Sequence, residues 1–250
     1  MSKKLEICCY SAESAIIAEK SGASRIELCD NYSEGGTTPS YATIKYCVDN
    51  LKIPVNVIVR PRGGDFLYSD IEYEIIKNDI VKIKELNANG VVIGFLNSNG
   101  SINIERTKEI IEIAKPMEIV FHRAFDMCNN PILALEQLKE IGITRILTSG
   151  SKNTAFEGID LLSVLVKKAS NKISIMPGSG VNETNLHELI TKTGANEFHS
   201  SAKTFESSKM KYFNNDINMG ATNSIDEFKK VAVDAIKIKL MVKILYNAAL

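Results

Sequence analysis

The segment 60–66, Arg-Pro-Arg-Gly-Gly-Asp-Phe, places two arginines, two glycines and an aspartate directly after the apolar stretch 55–59. The guanidinium groups of Arg60 and Arg62 can each fork onto a carboxylate or a phosphate. The two glycines allow the backbone to turn sharply and to approach a ligand closely. Asp65 can orient an arginine, hold a metal or move a proton. The segment therefore indicates an anion-binding loop, with a solvated turn as the competing interpretation.

Two of the three histidines, His122 and His199, lie at the ends of apolar stretches. Together with the carboxylates Glu6, Glu27 and Asp126, they supply the titratable groups that proton abstraction next to a carbonyl requires. The unit His-Arg-Ala-Phe-Asp that begins at His122 is the most compact of these groupings. A lone histidine is more often a satisfied core residue than a catalyst, but two at such positions favour chemistry. These five residues are the candidate catalytic groups.

Glycines and hydroxyl groups follow the later apolar stretches, where they can bind an anion. Backbone amides in such turns commonly cradle a phosphate in barrel proteins. Together with the segment 60–66, these positions give a set of candidate ligand-binding residues for a small anionic ligand. The set is Arg60, Arg62, Asp65, Arg123, Ser149, Gly150, Gly178, Ser179, Gly180 and Ser201.

Short β-branched stretches alternate eight times with longer amphipathic ones, and this order must position the candidate residues. The predicted strands are 5–9, 25–29, 55–60, 90–95, 118–122, 145–148, 173–176 and 197–200. Helical spacing is clearest in 11–20, 69–86, 103–115 and 131–141. Strands that alternate with helices pair in parallel, and eight such units in 250 residues predict an α/β fold, a single-domain (β/α)8 TIM barrel. An open doubly wound sheet is the alternative, but no Gly-x-Gly-x-x-Gly follows the first strand.

The barrel unit is expected to span 1–203, and 204–250 is expected to complete the same domain. Residues 205–223 are polar and predict a long loop, a surface or interface segment or an active-site lid. Residues 224–250 have the spacing of a final amphipathic helix.

Side chains alternate between the two faces of a strand, and the helix layer requires the apolar face outside. The polar face then points into the barrel and carries Glu6, Glu27, Arg60, His122 and His199. Paired charges can persist in such surroundings where a lone charge cannot, so we expect Glu6 and Glu27 to balance Arg60, with Arg62 nearby. A purely structural ion-pair network is the alternative to a functional pocket.

The same alternation places Cys8 and Cys29 on the inward faces of adjacent strands, whereas Cys9 points the other way. Copper(I) favours thiolate and thioether ligands, so a soft-metal site is a third candidate chemistry. Buried free cysteine is more often simple apolar packing. A nucleophilic Cys29 near His122 or His199 is a further alternative.

Composition excludes several other classes of protein. Lys+Arg and Asp+Glu number 30 each, and no charge run resembles a nucleic-acid tail or a polybasic membrane anchor. No stretch approaches the roughly 20 apolar residues of a membrane span. Five cysteines without a signal peptide indicate free thiols in the cytoplasm. We therefore expect a cytoplasmic protein with neither nucleic-acid nor membrane partners.

The chain resembles the CutC family, named for a proposed role in copper homeostasis, from Leu5 to about Lys203. The resemblance rests on Arg-Ile-Glu-Leu-Cys at 25–29, Glu-Gly-Gly-Thr-Thr-Pro-Ser at 34–40, the segment 60–66, Tyr-Ser at 68–69, Phe-His-Arg-Ala-Phe-Asp at 121–126, Arg-Ile-Leu-Thr-Ser-Gly at 145–150, Met-Pro-Gly-Ser-Gly-Val-Asn at 176–182 and Glu-Phe-His at 197–199. It implies a (β/α)8 barrel, a cytoplasmic location and self-association into a homo-oligomer. It also implies Cys8 and Cys29 as copper ligands.

The chain departs from the family pattern at two places. Cys9 and Tyr10 stand where Val-Asp is more usual after the first cysteine, and Ser179 replaces a glycine. The arginines, histidines and carboxylates suit an organic anion better than copper(I). Two hypotheses therefore stay open: a copper(I)-binding homeostasis protein without catalysis, and a barrel enzyme that uses acid–base chemistry on a small phosphorylated or carboxylated metabolite.

Overall fold

Eight parallel strands form the centre of the computed structural model, which describes residues 3–214, 216–217 and 226–248. All eight were predicted from the sequence, and their ends differ by at most two residues. The third strand stops early because the Arg60 amide leaves the ladder and donates to Thr38 Oγ1 at 3.0 Å. The strands are β1 (Lys4–Cys9), β2 (Arg25–Leu28), β3 (Val55–Ile58), β4 (Gly90–Ile93), β5 (Glu118–Phe121), β6 (Arg145–Thr148), β7 (Ser174–Pro177) and β8 (Glu197–Ser200).

Helices follow the strands and form the outer layer of a (β/α)8 TIM barrel, as the sequence predicts. Six of the eight helices in the described ranges follow a residue whose side-chain oxygen accepts from a free amide of the first turn, and the helices that start at Ile159 and Leu186 lack such a cap. Ser69 and Glu72 form a reciprocal capping box at the start of the third helix. The helices are α1 (Ala12–Lys20), α2 (Tyr41–Asn50), α3 (Asp70–Glu85), α4 (Ile104–Ala114), α5 (Pro131–Glu140), α6 (Ile159–Ala169), α7 (Leu186–Thr193) and α8 (Ala235–Asn247).

Two separate apolar clusters result from the alternation of side chains along the strands. The larger one lies between the strands and the helices and includes Ile7, Cys9, Ile26 and Leu28. The smaller one lies on the opposite face of the strands, inside the barrel, and consists of Cys8, Cys29, Ile58, Val92, Val120, Leu147 and Met176. The opposite placement of Cys8 and Cys9 confirms the predicted face assignment.

The barrel is joined by parallel ladders at every neighbouring pair of strands except one. β1 pairs with both β2 and β8, and the remaining ladders run in order to β7. No ladder joins β7 to β8, both of which lie in the described part of the chain. At this β7–β8 junction, Ser174 Oγ of β7 donates to Glu197 Oε1 of β8 at 3.1 Å. Side chains therefore complete the barrel at the place where backbone pairing stops.

The C-terminal segment differs from its prediction. Two antiparallel strands, β9 (Lys203–Ser207) and β10 (Lys229–Val233), form a hairpin where a loop and the start of a long helix were expected. The helix α8 begins only at Ala235, because Asp234 caps its first turn through Ile236 N at 2.8 Å. The parts of the predicted loop and helix at 215, 218–225 and 249–250 lie outside the described residues.

Within the described ranges, no helix combines the length and the apolar character that a membrane span requires.

Candidate functional site

A cavity of about 470 Å³ opens at the carboxyl ends of the barrel strands. Nine of the residues that the sequence singles out line it, from six different strands or the loops after them. They are Cys8, Glu27, Arg60, His122, Arg123, Ser179, Gly180, His199 and Ser201. Side chains far apart in the chain meet here because parallel strands all end at the same rim.

The Sγ atoms of Cys8 and Cys29 lie 3.5 Å apart, although Cys29 does not itself line the cavity. The hydrogen bond from Cys29 lowers the pKa of the Cys8 thiol to about 5, with help from His199 and against the effect of burial. Burial and the neighbouring Cys8 sulfur raise the pKa of Cys29 well above its usual value. The pair therefore consists of one thiolate and one thiol at neutral pH.

His199 joins this pair to two carboxylates. Its Nδ1 lies 2.8 Å from Glu6 Oε1, and its Nε2 lies 3.5 Å from Glu27 Oε2. Burial alone would lower the pKa of His199, but the hydrogen bonds with Cys8 and Glu6 outweigh it and raise the pKa well above its usual value. The ring is therefore an imidazolium at neutral pH.

The carboxyl groups of Glu6 and Glu27 differ in protonation state because only Glu6 has an arginine as partner in the described part of the chain. Burial would raise the pKa of Glu6, but Arg25 and His199 lower it well below its usual range. Burial and the Cys8 thiolate raise the pKa of Glu27 well above the usual value. Glu6 is thus ionised, while Glu27 holds a proton.

A metal-ligating group exists on the wall of this cavity. One ligand atom from each of Cys8, Glu27 and His199 lies within 4.8 Å of the others. With Cys29 beside Cys8, the set offers two sulfurs, one imidazole and one protonated carboxyl group. Sulfur and imidazole are soft or intermediate ligands, so this donor set suits copper(I).

His122 and Arg60 form a second polar group on the wall of the cavity. His122 Nδ1 accepts a hydrogen bond from Ala124 N at 3.1 Å, so the ring proton lies on Nε2. Burial and the Arg60 charge lower the pKa of His122 to about 3, which keeps the ring neutral. In the described part of the chain, neither His122 Nε2 nor Arg60 Nε has a hydrogen-bond partner.

The arginines of the segment 60–66 are placed differently from their prediction. Glu6 pairs with Arg25, while the Arg60 guanidinium binds the carbonyl oxygens of Glu34, Gly36 and Gly64 at 2.6–2.9 Å. Arg62 pairs with Glu72 and Asp65. The expected pairing of Glu6 with Arg60 is therefore wrong. Arg60 binds three loop carbonyls and Arg62 lies outside the cavity lining, and ligand binding by these arginines stays a prediction.

Asp126 also lies outside the lining. Its carboxylate accepts hydrogen bonds from Thr148 Oγ1 at 2.5 Å, from the amides of Ser149 and Ser151, and from Arg123 Nε at 2.8 Å. These hydrogen bonds use the carboxylate to hold Arg123 and the loop after β6 in place. The position of Asp126 therefore supports a structural role, and its catalytic role stays a prediction. The predicted residues outside the lining are Glu6, Cys29, Arg62, Asp65, Asp126, Ser149, Gly150 and Gly178. The chemical roles of the nine that do line it stay predictions.

A buried ion-pair network at the amino ends of the strands was missed. Glu197 accepts from Arg25 Nη2 and from Arg145 Nε, both at 2.6 Å, and Arg25 also pairs with Glu6. The period-two pattern that placed Glu27 inside the barrel places Arg25 there too, so the signal was available. Through Glu6, this network connects the amino ends of the strands to His199.

Comparisons with known proteins agree with the resemblance. The model of the CutC family matches residues 3–204. A family protein CutC of Parabacteroides distasonis is 48% identical over 240 residues, covering 96% of this chain and 99% of the relative. The human copper homeostasis protein cutC homolog is 43% identical over 243 residues, covering 97% of this chain and 89% of the relative.

Solved structures give the same result. A CutC protein of Streptococcus agalactiae superposes with a TM-score of 0.76 at 37% identity, over 80% of this chain and 98% of that one. A phosphoribosylanthranilate isomerase of Thermotoga maritima superposes with a TM-score of 0.59 at 12% identity, over 98% of this chain and 99% of that one, and shares only the fold.

Proposed function

We propose that this chain, which belongs to the CutC family, binds copper(I) as its cargo through Cys8 and Cys29. The observation that carries this proposal is the distance of 3.5 Å between the two sulfur atoms inside the barrel. Two thiolates can bind one ion at this spacing, since metal–thiolate bonds of about 2.3 Å, as zinc makes, span up to about 4.6 Å between sulfurs.

The charge states around the pair support a soft ion. Cys8 is a thiolate already, so binding requires the loss of one proton, from Cys29. Glu27 holds its proton and offers no carboxylate, which disfavours the hard cations that need oxygen ligands. His199 adds an imidazole next to Cys8 and can act as a third ligand after it loses a proton.

The surroundings of the cysteines support a reducing compartment. All five cysteines of the chain are free thiols in the structure, including the pair at 3.5 Å. Free, closely spaced thiols persist where glutathione and thioredoxin keep them reduced. We therefore place the proposed copper(I) binding in the cytoplasm.

A copper(I) titration of the reduced protein under anaerobic conditions tests the proposal. A chromogenic copper(I) chelator competes with the protein, and absorbance reports the copper that the protein removes. Changing both Cys8→Ser and Cys29→Ser should abolish tight binding. The matched control is Cys128→Ser, a half-buried thiol that does not line the cavity. Retention of wild-type affinity by the double variant contradicts the proposed site.

A further inference from the structure

We propose that the cavity also contains a site for a small organic carboxylate, which accepts hydrogen bonds from His122 Nε2 and Arg60 Nε. The site lies on the wall formed by the ends of β3 and β5. It is separate from the proposed copper ligands, because neither residue belongs to the cysteine pair or to the group around His199. It therefore goes beyond the proposed copper function and does not depend on it.

Two buried donors without a partner are the first argument. His122 is 4% exposed and Arg60 is 6% exposed, and both line the cavity. Buried N–H groups in folded proteins almost always have an acceptor, from the protein or from a bound molecule. In the described ranges, neither nitrogen forms a hydrogen bond within the protein, and the hydroxyl of Tyr68, which interacts with Arg60, lacks a partner too. Both donors therefore need an acceptor, which a bound molecule would supply.

The orientation of both groups is fixed by other hydrogen bonds. The Ala124 amide holds His122 Nδ1 and so directs the ring proton to Nε2. The carbonyl oxygens of Glu34 and Gly36 accept from Arg60 Nη1 and that of Gly64 accepts from Nη2, so that Nε–H and one N–H of Nη2 remain as donors. The direction of each donor is therefore fixed before a ligand binds, which lowers the entropic cost of binding.

Phe66 brings the two donors to one place. Its ring centroid lies 4.9 Å from that of His122 and 5.1 Å from Arg60 Cζ. The imidazole and the guanidinium thus flank the same aromatic ring, which also lines the cavity. The two donors therefore belong to one part of the cavity wall.

The number and the charge of the donors favour a carboxylate. The side chain of Arg60 keeps its positive charge, since its three hydrogen-bonded carbonyls are neutral. His122 is neutral and contributes one N–H without adding charge. These few donors and the single positive charge match the two oxygens and the one charge of a carboxylate, whereas a phosphate dianion presents three oxygens and two charges.

The two cations at the rim of the cavity already bind protein partners. Arg123 binds Asp126 and Ser149 Oγ, and Lys203 donates to Tyr32 Oη and lies over the ring of that tyrosine. The buried donors of His122 and Arg60, and not these more exposed cations, therefore favour a carboxylate. The cavity has a volume of about 470 Å³, which suits a small molecule.

Nuclear magnetic resonance of the wild-type protein with ¹⁵N-labelled histidine tests the proposal. The chain has three histidines, so the imidazole signals can be assigned with single substitutions. Pyruvate and acetate are the probes, and inorganic phosphate is the comparison anion. The Nε2 signal of His122 should shift in a saturable way with pyruvate or acetate, while that of exposed His187 stays in place.

His122→Asn removes the Nε2 donor and keeps an oxygen that can accept from the Ala124 amide. This variant should bind pyruvate at least about ten-fold more weakly than the wild type in calorimetry, as expected for loss of a hydrogen bond to a charged group. His187→Asn is the matched control and should bind as the wild type does. Cys8→Ser should keep carboxylate binding, which separates this site from the copper site.

Three outcomes overturn the proposal. The first is that neither carboxylate shifts His122, which means that water alone occupies the donors. The second is that His122→Asn, folded by circular dichroism, binds pyruvate as tightly as the wild type. The third is that phosphate binds more tightly than both carboxylates, which removes the argument from the number of donors.

Discussion

His122 and His199 lie in one cavity but differ in protonation state because their neighbours differ. His199 contacts Glu6, Glu27 and the Cys8 thiolate, which stabilise an imidazolium. His122 faces Arg60 in buried surroundings, which stabilise the neutral ring. The same residue type therefore serves as a fixed cation on one wall and as a neutral N–H donor on the other.

The neutral state of His122 predicts a change of stability with pH. Its pKa is about 3 in the folded protein and 6.5 ordinarily, so the unfolded chain binds the extra proton between these values. The free energy of unfolding therefore falls as the pH falls from about 6 to 4, by about 1.4 kcal/mol per pH unit from this residue. Urea unfolding of the wild type and of His122→Asn at several pH values isolates this contribution.

The test compares the free energy of unfolding of the wild type with that of His122→Asn at each pH. Other buried groups, among them Glu27 and Cys8, also change stability with pH, but they are common to both proteins. The stability advantage of the wild type should shrink steadily toward pH 4. A difference that does not change with pH contradicts a neutral His122.

Residue positions were predictable where they depend on strand alternation alone. Cys8, Glu27, His122 and His199 lie inside the barrel as predicted, because one inward residue fixes its neighbours two positions away. The partners of Arg60 and Arg62 were not predictable, because they are loop carbonyls and a helix-capping Glu72. Such contacts depend on loop conformation, which no local pattern encodes.

At the scale of elements, Asp126 joins the short turn after β5 to the loop after β6. It accepts from both the side chain and the backbone of this loop, including Thr148 and Ser151. We predict that Asp126→Asn destabilises the protein by about 2–4 kcal/mol, because an amide cannot accept at every position that the carboxylate serves. Chemical denaturation measures the effect.

Asp65→Asn is the control for this prediction. Asp65 is 71% exposed at its side chain and also pairs with an arginine, so its loss should cost under about 1 kcal/mol. If Asp126→Asn is as mild as the control, the proposed anchoring of the loop is wrong. Copper(I) affinity should stay the same in both variants, since neither residue contacts the cysteine pair.

The strands and helices of the barrel were more predictable than the C-terminal segment. Capping residues such as Ser69 and Asn103 mark helix starts by their chemistry, and the structure confirms them. The hairpin of β9 and β10 was missed because its first strand, Lys-Thr-Phe-Glu-Ser, is mostly exposed and polar. A strand that buries neither face leaves no hydrophobic period to detect.

For the whole molecule, the β7–β8 junction predicts that stability depends on Glu197. This carboxylate accepts from Ser174 of β7, Arg145 of β6 and Arg25 of β2. Glu197→Gln removes the carboxylate that two buried guanidinium groups share and leaves Arg25 with Glu6 and Arg145 with the exposed Glu118, so we expect a loss of about 2–4 kcal/mol. Thermal and urea unfolding test the loss, and hydrogen exchange should increase first in β7 and β8.

Glu118→Gln is the matched control, because Glu118 also pairs with Arg145 but is 52% exposed at its side chain. Its loss should cost under about 1 kcal/mol. Equal effects of the two substitutions contradict a special role of the junction.

Self-association, which the family resemblance implies, stays a prediction. Several apolar side chains around the end of β9 are exposed, among them Phe205, Met210 and Tyr212. Contiguous exposed apolar side chains often mark an interface. Light scattering of the full chain should give a multiple of the chain mass, and a monomer mass at micromolar concentration contradicts the prediction.

The incomplete ladder between β7 and β8 also bears on aggregation. A sheet without its last ladder has two edge strands, and edge strands are where another chain can add a strand of its own. The hydrogen bonds to Glu197 hold these two edges against each other from within. Because the same side chain protects the edges from intermolecular pairing, the Glu197→Gln protein should form aggregates under conditions in which most molecules are still folded.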